Sequence, residues 1–248
     1  LNVKLHDSMN TVAAAKANKM KEVDLYVSYD GTMLTTVLGH DPSEVPEGES
    51  LFEFAKDLGS KEMGLTLTEK FGFENTYALG IPRELAEEHN IKTISDLKPY
   101  AKDLVFGAEH EFFDEEGSMR FKPFNERYDM EWKDSKSLDI GLKYSAIDNK
   151  NIDVTMVYST DGLNKKSDLV ILEDDLSFFP EYYASFQVRD TLFDEYREIA
   201  PNLEELLLSL EGLIDNETMA AMNYAVDADG RNPRDVAKEF LVKNGLSE

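Results

Sequence analysis

The chain has 248 residues, 42% of them hydrophobic, with 50 Asp and Glu against 26 Lys and Arg, a formal charge of −24 and no cysteine. The acid excess excludes a nucleic-acid binder, which needs a basic footprint for phosphate, and an anionic membrane surface would repel it. Disulfides, thiolate nucleophiles and cysteine-bound zinc are excluded, and no apolar run approaches the roughly 20 residues that span a bilayer.

Strand and helix signals alternate along the chain. Good helix formers in Thr11-Val-Ala-Ala-Ala-Lys predict a helix over 9–20, and Val23-Asp-Leu-Tyr-Val-Ser has the period-two character of a strand. Thr76-Tyr-Ala-Leu-Gly-Ile is the next clear strand, and Pro82 stands where a helix takes its first residue. Ser95 is placed to cap a short turn at Ser-Asp-Leu. Leu104-Val-Phe-Gly-Ala, Ile152-Asp-Val-Thr-Met-Val-Tyr and Leu169-Val-Ile-Leu read as short apolar strands.

From Thr191 onward the pattern is mostly helical. Asn202-Leu-Glu-Glu-Leu-Leu-Leu-Ser-Leu has amphipathic spacing, and Asn232-Pro-Arg-Asp supplies a cap, a proline at the first helical position and an acid in the first turn. Gly245 closes that last helix. This alternation predicts an α/β protein with largely parallel sheets, whose ligands sit at the carboxyl ends of strands.

The constellations that signal an enzyme or a metal site are absent from the sequence. His6, His40, His89 and His110 have no ligand spacing, and no phosphate loop, dinucleotide fingerprint or Gly-x-Ser-x-Gly occurs. Asp227-Ala-Asp-Gly-Arg-Asn opens like a calcium loop, but its twelfth position is Lys238 where a bidentate Glu is required. Glu173-Asp174-Asp175 reads as a solvated turn, because acid–base catalysis needs carboxyls on facing elements. No catalytic residue, cofactor or metal is expected.

Four tyrosines stand in polar or turn-forming contexts instead of an apolar pattern: Tyr29, Tyr77, Tyr158 and Tyr182. Tyr29, Tyr158 and Tyr182 follow predicted strands, and Tyr77 begins one. A quaternary ammonium has no N–H to donate, so it is held by π faces and dispersion, which such rings supply. Tyr26, Tyr100, Tyr144, Tyr224, Phe178 and Phe179 read as packing residues. Asp161, in Ser-Thr-Asp-Gly, reads first as a turn acid; the alternatives are orienting a tyrosine hydroxyl or closing two lobes by hydrogen bond.

Five segments occur in order: Asp24-Leu-Tyr-Val-Ser-Tyr-Asp-Gly-Thr, Gly72-Phe-Glu-Asn-Thr-Tyr-Ala-Leu, Ile94-Ser-Asp-Leu, Tyr158-Ser-Thr-Asp-Gly and Leu172-Glu-Asp-Asp-Leu-Ser-Phe-Phe-Pro-Glu-Tyr. Together they resemble the substrate-binding proteins of glycine betaine/carnitine/choline ABC transporters, from about residue 10 to about 241. The resemblance implies a non-enzymatic, extracytoplasmic receptor with a two-lobed, type II periplasmic-binding-protein fold, each lobe a mixed sheet flanked by helices. Lobe 1 would hold 1–76 and 183–248, lobe 2 would hold 77–182, with crossovers near 77 and 182.

The family's tyrosine cage falls on Tyr29, Tyr77, Tyr158 and Tyr182. Thr32 matches the threonine that reaches the ligand's polar tail, and Asn75 stands beside the cage to support it. The implied partners are a quaternary ammonium ligand and an ABC permease, separate or fused, and not nucleic acid. Other readings are a receptor for an amino acid or proline betaine, and a small-molecule hydrolase or lyase using Glu173 to Asp175.

The chain departs from the family pattern at two places. Leu1-Asn-Val-Lys-Leu corresponds to the family's second strand, so the first strand and helix of lobe 1, roughly 30 residues, are missing from this sequence: either they are omitted or the lobe is completed some other way. The stretch Glu111–Glu131 lacks the family's Arg-x-Asp-Gly pattern, which implies a different closure of lobe 2.

Overall fold

The computed structural model describes residues 3–6, 9–113, 120–139 and 141–247. Eight strands form among them: β1 (Leu25–Tyr29), β2 (Leu65–Leu67), β3 (Tyr77–Pro82), β4 (Val105–Glu109), β5 (Asp134–Leu138), β6 (Val154–Tyr158), β7 (Leu169–Ile171) and β8 (Ala184–Arg189). The chain divides into two units, one of Leu1–Asn75 with Pro180–Asn216, the other of Thr76–Phe179 with Glu217–Glu248.

The first unit is built on a sheet of order β1-β8-β2, with both pairings antiparallel. The helix Leu51–Met63 covers it. Ser50 caps the start by accepting from the Glu53 amide at 3.2 Å, and Gly64 ends the helix in the left-handed region at φ 68°. Its Phe52 and Ala55 pack with Met33, Leu34, Leu65 and Leu67 in a fully buried cluster. At Gly59 an added Cβ would stand 2.7 Å from the Leu65 carbonyl oxygen, so glycine lets the helix approach β2.

The second unit has a five-stranded sheet of order β5-β4-β6-β3-β7. Here β4 runs parallel to β5 and β6, while β3 is antiparallel to β6 and β7. Leu79, Ile81, Phe106, Phe124 and Met156 form its buried core.

Several expectations are corrected. The sheets are not largely parallel: apolar runs reveal that a strand exists, but its partner and direction are set by long-range pairing. Residues 183–248 do not all cluster with the first unit, because Glu217–Glu248 join the second. The reason is local. Gly162 lies against the backbone of the helix Asn216–Asp227, where a Cβ would stand 2.3 Å from the Tyr224 nitrogen, and Asn223 Nδ2 donates to the Thr160 carbonyl at 2.8 Å.

Residues 3–6 carry no strand, and Leu1 and Asn2 lie outside the described residues. Pro82 ends β3 and caps the helix Arg83–His89 instead of opening it. Ser95 is the first residue of a 3-10 turn whose cap position is Ile94.

Candidate functional site

In the first unit, β1 ends at Tyr29, and the chain turns at once into helix through Asp30, Gly31 and Thr32. Ala184 of β8 pairs with Tyr29, which places Tyr182, two residues before Ala184, alongside the same strand end. The Tyr29 and Tyr182 rings stack with centroids 5.0 Å apart and planes 22° from parallel. The Thr32 and Tyr182 hydroxyls share a hydrogen bond. Both rings are half-buried, and burial, followed by the neighbouring Tyr182 hydroxyl, pushes the Tyr29 phenol up from its ordinary pKa.

Gly31 is the floor under Tyr182. A Cβ added there would lie 2.4 Å from the ring's Cε2, so the ring occupies the space a side chain would need. From the other side the Asn75 amide donates to the Tyr182 carbonyl at 2.9 Å. Thus Tyr29, Thr32, Asn75 and Tyr182 come together, with Asn75 supporting Tyr182 through its backbone.

The second unit carries a second pair. In the β3–β6 register Tyr77 faces Tyr158, and their rings stack at 5.0 Å and 25°, with hydroxyl oxygens 3.4 Å apart. Tyr77 also packs on Phe179 at 6.0 Å, and Phe179 stacks on the buried Phe124 at 6.0 Å. Asp174 fixes that turn. Its carboxylate accepts from the Phe178 amide at 3.0 Å and the Phe179 amide at 2.7 Å, and from the Tyr128 hydroxyl. The acids read as a solvated turn therefore include one that holds the packing beneath Tyr77.

Lys143 is buried to 1% exposure, and its ammonium bonds Glu109 at 2.7 Å and lies 5.3 Å from the Tyr158 ring centroid. Asp161 accepts from the Tyr144 hydroxyl and from the Leu163 amide at 3.0 Å, so it combines the turn role with orientation of a tyrosine outside the four. Burial, then this bond to Asp161, pushes the Tyr144 phenol up.

Asp30, Glu109 and Lys143 carry no signal in the sequence pattern. Asp30 is concealed in a turn-like Tyr-Asp-Gly-Thr, and Lys143 in a helical pattern where lysine is ordinarily solvated. No group of three or more His, Cys, Asp or Glu among the described residues is arranged to hold a metal ion, and no described helix is long and apolar enough to cross a membrane. Of the stretch Glu111–Glu131, residues 114–119 lie outside the described residues.

Comparison with a crystal structure of a glycine betaine/carnitine/choline ABC transporter protein gives a TM-score of 0.84 at 31% identity, covering 93% of this chain and 82% of that one. The fold is thus that of a type II binding protein of ABC transport, α/β with helices flanking its sheets. The family model for the substrate-binding domain of ABC-type glycine betaine transport systems matches residues 2–243, and the chain belongs to that family.

Among named relatives, the ergothioneine transport permease/ergothioneine binding protein of Helicobacter pylori strain G27 is 34% identical over 91% of this chain, which spans only 39% of that protein. The carnitine transport binding protein OpuCC of Listeria monocytogenes is 32% identical, over 96% of this chain and 76% of its own length. The family is one of extracytoplasmic proteins that bind small solutes for ABC transporters.

Proposed function

We propose that this chain is the receptor of an ABC transporter for small trimethylammonium compounds, and that the Tyr29–Tyr182 and Tyr77–Tyr158 pairs hold the ligand's cation. The observation that carries the reading is that the four tyrosines singled out by context are two stacked, half-buried pairs at strand ends. The compounds in the relatives' names support it chemically, since ergothioneine, carnitine and glycine betaine each join a trimethylammonium group to a carboxylate. Thr32, bonded to the Tyr182 hydroxyl, is the residue we assign to the polar tail. A hydroxyl there donates to a carboxylate, which favours betaines and carnitine, and the pocket also takes choline.

A desolvated cation–π contact gives about 2 kcal/mol at best, so four supply up to about 8. Association costs of about 4 kcal/mol or more come off, tail hydrogen bonds add back, and micromolar affinity results. We also assign delivery of the ligand to a permease, separate or fused, as the partner step, with the receptor tethered at the outer membrane face or joined to the transporter. Osmoprotectant uptake is the process such a receptor serves. Calorimetric titration with glycine betaine, carnitine, choline, ergothioneine and proline tests the reading: saturable binding of the trimethylammonium compounds supports it, and binding of proline alone would replace it with an amino-acid receptor.

A further inference from the structure

Asp30 stands at the seam of the Tyr29–Tyr182 wall and is fully buried. One carboxylate oxygen, Oδ1, accepts from the Gly31 amide at 2.7 Å and the Tyr183 amide at 3.0 Å, and the Asp30 amide donates to the Tyr183 carbonyl at 3.2 Å. The residue therefore clamps the end of β1 to the segment that carries Tyr182. Its other oxygen, Oδ2, is buried with no hydrogen-bond partner.

A buried carboxylate oxygen left unmatched is costly, and its retention needs a reason. A turn anchor alone would be served by asparagine, which keeps the same acceptor without the charge.

We propose that Asp30 is the counter-charge of the site: Oδ1 holds the Tyr29 and Tyr182 rings in register, and the unmatched Oδ2 supplies the negative field that a bound quaternary ammonium neutralises. The inference rests on the receptor reading above.

The surrounding charges are consistent with it. The cation facing Asp30 is Lys70, whose ammonium is drawn off to the Tyr183 ring at 3.8 Å and to Glu181 at 4.0 Å. Glu181 faces Asp30 from the segment before β8, and Glu74 joins the same cluster through Tyr183 and Lys70. Tyr29 at the end of β1 and Tyr183 just before β8 are the titratable neighbours on the flanking segments, and burial pushes both phenols up from their ordinary pKa.

Without a cation, burial pushes the Asp30 carboxyl up to about 7, so a substantial fraction is protonated at neutral pH. A cation bound beside it favours the ionised form and expels that proton. Ligand binding at pH 7 is then accompanied by release of up to about half a proton, and affinity rises from pH 6 to pH 8.

The test is calorimetric titration of the whole protein with choline, glycine betaine, carnitine and ergothioneine, in phosphate and in Tris at pH 6, 7 and 8. The expected result is a buffer-dependent heat that reports proton release at pH 7, absent from Asp30→Asn. That variant binds several-fold more weakly, with an affinity that no longer changes across this range. Saturable binding without buffer-dependent heat in the wild type overturns the inference while leaving the receptor reading intact, as does an Asp30→Asn variant that keeps both affinity and proton release. Absence of binding by every one of these compounds overturns both.

Discussion

Tyr77 and Tyr158 sit directly opposite one another on antiparallel neighbours β3 and β6, and their rings stack at 5.0 Å. Strand register, not side-chain flexibility, sets that pairing, and Phe179 buttresses Tyr77 from the core. Tyr158→Ala is expected to cost about 1–3 kcal/mol of ligand affinity, while Tyr158→Phe costs less because the ring face does the binding. Affinities of the two variants for carnitine, measured side by side, check this; equal losses would mean the hydroxyl contributes as much as the face.

Gly31→Ala separates architecture from binding in the first unit. The new methyl would lie 2.4 Å from Tyr182 Cε2, and the ring is the group that must move. Its displacement breaks both the stack on Tyr29 and the hydroxyl bond to Thr32. Affinity should fall by about tenfold or more, on the order of 1.4 kcal/mol, while the thermal midpoint changes little. A large fall in midpoint with affinity preserved would contradict this.

The buried Lys143–Glu109 pair predicts a non-additive stability pattern. Lys143→Met leaves the largely enclosed Glu109 without its partner, which costs about 3–5 kcal/mol, whereas Lys143→Met combined with Glu109→Gln recovers much of the loss. Urea unfolding of the three variants measures it. Because the ammonium lies 5.3 Å from the Tyr158 ring, ligand affinity should change in the single variant too.

Asp30 gives stability an inverted dependence on pH. Its folded pKa is raised from 3.8 to about 7, so between those values the folded protein holds a proton that the unfolded chain has lost. Stability from this group is therefore present below about pH 4, declines as pH rises to about 7 and stays level above, by about 4 kcal/mol at most. Asp30→Asn removes the decline. Thermal midpoints of wild type and variant should diverge steadily from pH 4 to pH 7; parallel curves would show that Asp30 does not titrate there.

The four tyrosines were legible because each adjoins a polar or turn-forming segment and falls on a family motif, and the strands that carry Tyr29, Tyr77 and Tyr158 were legible from alternating or short apolar runs. β8 was not. Its Ser185, Gln187 and Arg189 are buried, so polar residues occupy a central strand. Arg189 is matched by the nearby Glu195 and by Asp24 and the carbonyls of Asn18 and Val23, three partners remote in sequence. Asp30 escaped for a similar reason: Tyr-Asp-Gly-Thr is an ordinary turn until Tyr183, 153 residues later, returns to donate to it. Lys143 became interpretable only when Glu109 was placed beside it.

If aromatic faces hold a positive charge here, one pair of ligands isolates that interaction. Glycine betaine and 3,3-dimethylbutanoate share a carboxylate and a compact trimethyl head, and differ in having a quaternary nitrogen or a neutral carbon at its centre. Calorimetric titration with both is the measurement to make. Glycine betaine should bind with micromolar affinity and the neutral-headed analogue at least about tenfold more weakly. Equal affinity for the two would contradict it, because the site would then be recognising shape and the carboxylate instead of the cation.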